Sequence, residues 1–374
     1  MSPPARRIRI LVVDDSAVIR KLVSDALAAD PQIEVVGTAQ NGQVAVERVA
    51  QLAPDAVTMD IEMPVMNGID AVRAIRRTHR RLPIVMFSTL TERGASATLD
   101  ALTAGASDYV TKPSNVAGFA QSLANVREQL IPKLKALTGI GVRSAQAARV
   151  PAPPPGPRGQ RTGPFQAIVL GSSTGGPDAL SKVLTGLPPT LPVPILIVQH
   201  MPPVFTRLLA QRLDATCPLR VTEAAEGDAV VPGRVLIAPG GSHLEVRRRG
   251  AGVVVRLSDA PPENFCRPAV DVLFRSAVTV YADRLLAVVL TGMGRDGEKG
   301  ARLVRTAGGE IIVQDEPTSV VWGMPGAVAN AGLADSVVPL PRVTSEVLSA
   351  LGRSCGPATA STSASTPATV EVAR

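Results

Sequence analysis

Apolar and polar positions alternate along this chain in two long cycles. In the first, short apolar runs at residues 8–13, 33–37, 55–59, 83–87 and 107–110 are separated by stretches where apolar residues recur every three or four positions. Ile19, Leu22, Val23, Ala26 and Leu27 show that helical spacing, and Ser16 ahead of them can accept from a free N–H of the first turn. Such alternation predicts a five-stranded, parallel, doubly wound sheet, whose site lies beyond the carboxyl ends of its strands. Phe119, Leu123, Val126, Leu130 and Leu134 add a closing helix. Periodicity then fades between about 137 and 164 around a Pro-rich run at 150–157, a composition that favours extended, semi-rigid backbone.

The second cycle predicts strands at 165–170, 194–199, 285–290 and 310–313, and helices at 177–186, 203–213, 268–280 and 297–307. Between 219 and 258 the Val and Leu spacing with Gly turns suggests an antiparallel β-ribbon excursion. The fold class expected is α/β, with two doubly wound domains. Their expected extents are 1–125 and 165–351, joined by a helix end and Pro-rich linker at 126–164 and followed by a disordered Ser/Thr/Ala-rich tail at 352–374.

Composition narrows the functional classes. The 374 residues suffice for two domains, and with few aromatics the cores must be built from Ala, Val, Leu and Ile. No apolar run reaches the roughly 18 residues of a membrane span, and no secretory leader is visible, so no membrane insertion is expected. Cys217, Cys266 and Cys355 lie far apart, which argues against a disulfide framework or zinc site and for a reducing, cytoplasmic setting. The formal charge is +7, but its arginines sit in the linker (Arg143, Arg149, Arg158, Arg161), at a helix end (Arg76, Arg77, Arg80, Arg81) and at a hairpin turn (Arg247–Arg249). Without interleaved aromatics or a recognition helix, no nucleic-acid partner is expected.

The chemistry falls at strand ends. Asp14 and Asp15 follow the first strand, Asp60 the third, Ser88 and Thr89 the fourth, and Lys112-Pro113 the fifth. Carboxylates converging on one rim repel each other unless a hard cation sits among them, and oxygen ligands suit Mg²⁺. With a lysine opposite, the set reads as a phosphoryl-accepting site. Residues 8–125 resemble a response-regulator receiver domain, through Val12-Val13-Asp14-Asp15-Ser16, Met59-Asp60-Ile61-Glu62-Met63-Pro64, Asn67-Gly68 and Thr111-Lys112-Pro113. The resemblance implies that Asp60 is the phosphoacceptor and that Asp14, Asp15, Asp60 and the Glu62 carbonyl hold Mg²⁺. It also implies that Lys112 and Ser88 (or its neighbour Thr89) contact the phosphoryl group, and that Tyr109 is the reorienting aromatic.

In the second cycle, Gly171-Ser172-Ser173-Thr174-Gly175 fits G-x-S-x-G, a strand–turn–helix that exposes a serine hydroxyl; a phosphate-cradling loop is the alternative. Of the three histidines, His79 reads as surface and His243 as a loop residue, whereas His200 follows the apolar run 195–199. Asp296 lies in the turn after 285–290. Parallel strands would deliver Ser173, His200 and Asp296 to one rim as nucleophile, general base and orienting acid, with Asp271, Asp228 and Asp315 as competing acids. The Thr174 N–H, with one from the Gly292–Gly294 turn, would stabilise an oxyanion. The whole chain resembles the chemotaxis protein-glutamate methylesterases, the CheB family. The resemblance rests on 171–176, Gln199-His200-Met201-Pro202-Pro203, Ala238-Pro239-Gly240, Arg267-Pro268 through Phe274, and Leu290 through Gly297. It implies the triad Ser173, His200, Asp296, with the Met293 amide as second oxyanion donor and no cofactor for the ester chemistry. It further implies hydrolysis of glutamate methyl esters on chemoreceptors with release of methanol, glutamine deamidation in many members, and relief of receiver inhibition by a histidine kinase. The Pro-rich linker and polar tail depart from the family pattern. A binding module that holds a phosphorylated ligand in the 171–176 loop is the rival reading, and a DNA-binding output is disfavoured by the absence of a helix-turn-helix pattern.

Overall fold

The computed structural model describes residues 6–112, 119–139 and 161–354. Most of the predicted linker and nearly all of the tail therefore lie outside the described residues. The first cycle forms β1 (Ile8–Val13), α1 (Ala17–Ala28), β2 (Ile33–Ala39), α2 (Gly42–Leu52), β3 (Ala56–Asp60), α3 (Gly68–Thr78), β4 (Ile84–Ser88), α4 (Glu92–Thr103), β5 (Asp108–Thr111) and α5 (Phe119–Thr138). The five strands are parallel in the order β2-β1-β3-β4-β5. β3 and β4 are buried along their whole length, which is why they read as unbroken apolar runs. Ser16, Asn41, Asn67 and Thr91 each accept from a backbone N–H in the first turn of the helix that follows, so the four helix starts are fixed at the strand-end rim.

The second cycle begins with β6 (Ala167–Ser172), α6 (Gly176–Thr185), β7 (Ile195–Gln199), α7 (Phe205–Thr216), β8 (Arg220–Glu223) and β9 (Arg234–Ile237). It continues through the hairpin β10 (His243–Arg249) and β11 (Gly252–Ser258), then α8 (Val270–Tyr281), β12 (Leu285–Val289), α9 (Glu298–Ala307) and β13 (Glu310–Gln314). α10 (Met324–Asn330), β14 (Ser336–Val338) and α11 (Leu340–Ser354) complete it. Seven parallel strands run β14-β13-β12-β6-β7-β9-β8. The expected ribbon over 219–258 is thus two structures. β8 and β9 extend the parallel sheet, and only 243–258 is antiparallel. All four strands are short runs of four to seven residues carrying Val or Leu, so pattern alone could not separate them. One buried apolar cluster runs from the first sheet through Leu99 and Leu102 of α4 to Leu180 of α6 and Leu209 of α7, so the two sheets share a packed seam.

Candidate active site

The rim of the second sheet is assembled by three neighbouring strand ends. β6, flanked by β7 and β12, runs into Ser173, whose N–H donates to the Thr291 carbonyl at 3.0 Å, while the His200 N–H donates to the Ser172 carbonyl at 3.1 Å. Gln199, 2 % exposed, ties the same corner together. Its Oε1 accepts from Ser172 Oγ at 2.7 Å and its Nε2 donates to the Ser173 carbonyl at 2.9 Å. The turn demands glycine. Gly175 has φ +77, and a Cβ on Gly176 would lie 1.9 Å from Gln199 Oε1.

His200 Nε2 lies 2.8 Å from Asp296 Oδ2. The carboxylate is held from all sides: Val270 N–H donates to Oδ2 at 2.6 Å, and Asp271 N–H, Gly297 N–H and Asn264 Nδ2 donate to Oδ1. Two of those donors open α8, where free N–H groups and the helix dipole favour negative charge. Burial opposes ionisation of Asp296, but His200 and the backbone donors outweigh it and keep this carboxyl low. Burial also opposes the imidazolium, yet Asp296, aided by Cys266, lifts His200 to about 9. Asp271 shares Asn264 with Asp296 and accepts from Gly297 and Gly300 N–H. Its carboxyl is raised by burial, and the Asp296 charge adds to that.

The other ring nitrogen, His200 Nδ1, faces Cys266 Sγ at 3.5 Å. Among the described residues, Ser173 Oγ makes no hydrogen bond to His200, although both line one small cavity. The 292–294 turn lies against the serine: a Cβ on Gly292 would fall 2.9 Å from Ser173 Cβ. Neither the Thr174 nor the Met293 amide donates a backbone hydrogen bond among the described residues. Of the competing acids, Asp228 pairs with Arg234 and Asp315 bonds Thr318, whereas Asp271 lies inside the site. His243 is buried, with Nδ1 accepting from Ala269 N–H and Nε2 3.1 Å from the Pro261 carbonyl, so it pins the 260–269 loop. His79 caps α3. Gln199, Asn264 and Cys266 were absent from the expected site. Gln199 carried a signal, a polar residue ending an apolar run. Asn264 and Cys266 lie in an aperiodic loop that only folding brings to His200.

At the rim of the first sheet, Lys112 Nζ reaches Asp60 Oδ1 at 2.8 Å and Asp14 Oδ2 at 3.0 Å. Oxygens of Asp14, Asp15 and Asp60 all lie within 4.8 Å of one another. Burial pushes Asp60 up to about 6, with the Asp14 charge adding and Lys112 opposing. Three carboxylates clustered this closely, with Lys112 as the paired cation, offer the hard oxygen ligands that a divalent cation of the Mg²⁺ kind takes. The Glu62 side chain points elsewhere, to Arg93 at 3.2 Å. Ser88 is buried and donates to the Gly94 carbonyl at 3.1 Å, while Thr98 donates to Ser88 at 2.6 Å. Thr89 instead bonds Thr91.

The two rims meet. Asp108 of β5 accepts from Thr174 Oγ1 at 2.7 Å and pairs with Lys133 of α5 at 2.8 Å. The Tyr109 ring stacks on Phe205 of α7 with centroids 4.7 Å apart. Arg207 and Arg212 of α7 pair with Glu92 and Asp100 of α4. The cavity bounded by Ser173, Thr174, His200, Asp108, Tyr109 and Lys133 holds about 20 Å³.

A sheet with an acidic, lysine-paired rim, packed over a second parallel sheet with serine, histidine and aspartate at its strand ends, is the architecture of a response regulator with an enzymatic output. Residues 10–124 match the family model described as Response regulator receiver domain, and residues 168–347 match CheB methylesterase. A protein-glutamate methylesterase/protein-glutamine glutaminase of Nocardioides sp. is 60% identical over 358 residues, 92% of this chain and 96% of that one. One of the same description from Trichodesmium erythraeum is 45% identical over 350 residues, covering 92% and 99%. The Thermotoga maritima CheB methylesterase catalytic domain is 44% identical, with TM-score 0.49, covering 50% of this chain and 98% of that one. The chain belongs to the CheB family of receiver-linked protein-glutamate methylesterases/protein-glutamine glutaminases.

Proposed function

We propose that this protein removes methyl groups from glutamate methyl esters of chemoreceptors, releasing methanol, and deamidates receptor glutamines at the same centre, with the receiver as a phosphorylation-released cover. Residues 1–125 act as receiver and 165–351 as esterase, in the cytoplasm. Ser173 is the nucleophile, His200 the base, Asp296 the group that orients it, and the Thr174 and Met293 amides the oxyanion donors. The carrying observation is the 2.8 Å His200–Asp296 pair beside Ser173 under a receiver that leaves about 20 Å³, room for about one water and not for an ester side chain.

Asp60 accepts the phosphoryl group from the pathway's histidine kinase, and Lys112 offsets the added charge. Ser88 must leave Gly94 and Thr98 to reach that group, which couples it to α4 on the seam. Tyr109 must likewise leave Phe205 to reorient. Asp14, Asp15, Asp60 and the Glu62 carbonyl would hold Mg²⁺, which offsets phosphate charge when bound. Phosphorylation then shifts a closed–open equilibrium.

The test is methanol release from methylated receptor membranes, with and without a small phosphodonor and Mg²⁺. Release should rise with phosphodonor, stay flat in Asp60→Asn and vanish in Ser173→Ala. An unimpaired Ser173→Ala protein would favour the phosphate-binding reading of the 171–176 loop.

A further inference from the structure

We propose that Cys266 is a positioning residue that holds the general base away from Ser173, so that the serine and this thiol compete for one nitrogen of His200. The inference rests on the assignment of Ser173, His200 and Asp296 given above.

A working base needs one ring nitrogen on the carboxylate and the other on the serine hydroxyl. In this structure Nε2 lies on Asp296 at 2.8 Å and Nδ1 lies on Cys266 Sγ at 3.5 Å, leaving no nitrogen for Ser173. Asp296 cannot be the part that moves, because Val270, Asp271 and Gly297 N–H and Asn264 Nδ2 all hold it. The imidazole ring is the free element, and the thiol contact is its weaker tie.

The thiol is delivered deliberately. Glu263 and Cys266 exchange backbone hydrogen bonds at 3.1 and 2.9 Å across a turn in which Asn264 and Phe265 have φ 52 and 63. Left-handed backbone at Phe265 is strained, less so at Asn264, and the turn needs support from outside itself. That support is present: Arg267 Nη1 donates to the Asp259 carbonyl at 2.9 Å, Gly241 N–H donates to the Arg267 carbonyl at 3.1 Å, and His243 braces both Pro261 and Ala269. Cys266 is half-buried and lines a cavity of about 520 Å³ with His200 and Tyr109, so its side chain can be shortened without opening a core void.

The charged and titratable groups around His200 are Asp296, with Asp271 behind it, Arg267 from the Cys266 loop, and Asp108, Tyr109 and Lys133 from the receiver. Of these, Asp296 and Cys266 are the ones in hydrogen-bond contact with the ring. Loss of the thiol therefore both frees Nδ1 and removes one of the two contacts that favour the charged ring.

The experiment compares full-length wild type, Cys266→Ala and Cys266→Ser for methanol release from methylated receptor membranes without phosphodonor, across pH. Cys266→Ala should raise kcat about three- to tenfold, as expected for loss of one modest hydrogen bond, with KM unchanged. Its acidic limb should move to lower pH, and Cys266→Ser, which keeps a small hydrogen-bonding group, should stay near wild type. A Cys266→Ala enzyme with an unchanged or lower rate, or a faster one with an unmoved limb, would overturn the inference. Ser173→Ala in the Cys266→Ala background separates the two layers. Residual activity there would sink the serine assignment, whereas its loss leaves only the role of the thiol at stake.

Discussion

At the scale of single residues, the centre depends on the charge state of one buried pair. Replacing Asp296 by Asn keeps the shape but removes the charge and favours the wrong imidazole tautomer, so kcat should fall by about 10⁴-fold. A drop of less than tenfold would move the orienting role to Asp271. The same pair makes stability depend on pH. His200 is raised to about 9 from an ordinary 6.5, so its contribution is fully present below the unfolded value and is lost as pH rises toward 9. The difference in unfolding free energy between wild type and His200→Ala, measured by urea denaturation, should be largest near pH 6 and close by about pH 10. A gap independent of pH would contradict the ion pair.

At the scale of elements, the proposed gating falls on the seam between α4 of the receiver and α6 and α7 of the esterase. Asp108 accepts a hydrogen bond from Thr174, next to Ser173, and pairs with Lys133, so one buried carboxylate bridges the sheets. Charged hydrogen bonds of this kind contribute about 1.5–3 kcal/mol, enough to shift a closed–open ratio roughly tenfold or more. Asp108→Ala should therefore raise phosphodonor-free activity by about tenfold and leave the fully activated rate nearly unchanged. If both rates fell together, Asp108 would be supporting the active site and not closing it. Ser88 belongs to the same argument: its bonds to Gly94 and Thr98 tie the proposed phosphoryl contact to the first turns of α4, the helix whose Glu92 and Asp100 pair with α7.

At the scale of the whole molecule, two chemistries share one body but need different groups. Chelation of divalent cations should abolish activation by phosphodonor and leave the basal esterase rate intact, because among the described residues the acidic cluster suited to a cation is Asp14, Asp15 and Asp60, whereas the Asp296–Asp271 pair beside His200 is already held by protein donors. Basal activity lost to chelator and restored by Mg²⁺ would show that the cation acts on the esterase itself.

What the sequence by itself determined was everything local in period or position: the strand–helix alternation, the Ser16 helix cap, the glycines of the serine turn, and the strand-end placement of Asp14, Asp60, Lys112, Ser173, His200 and Asp296. Parallel sheets make such placement readable, because each strand end lands on the same rim whatever the order of the strands. Tertiary structure alone decided the rest. It split residues 219–258 into two sheet strands and a hairpin, since short runs carrying Val or Leu serve either pairing. It brought Cys266 to the imidazole and Asn264 to Asp296 through a loop whose path follows long-range hydrogen bonds rather than periodicity. And it set Asp108 and Tyr109 on Thr174 and Phe205, contacts between surfaces far apart in the chain, which exist only because two separately patterned sheets pack face to rim.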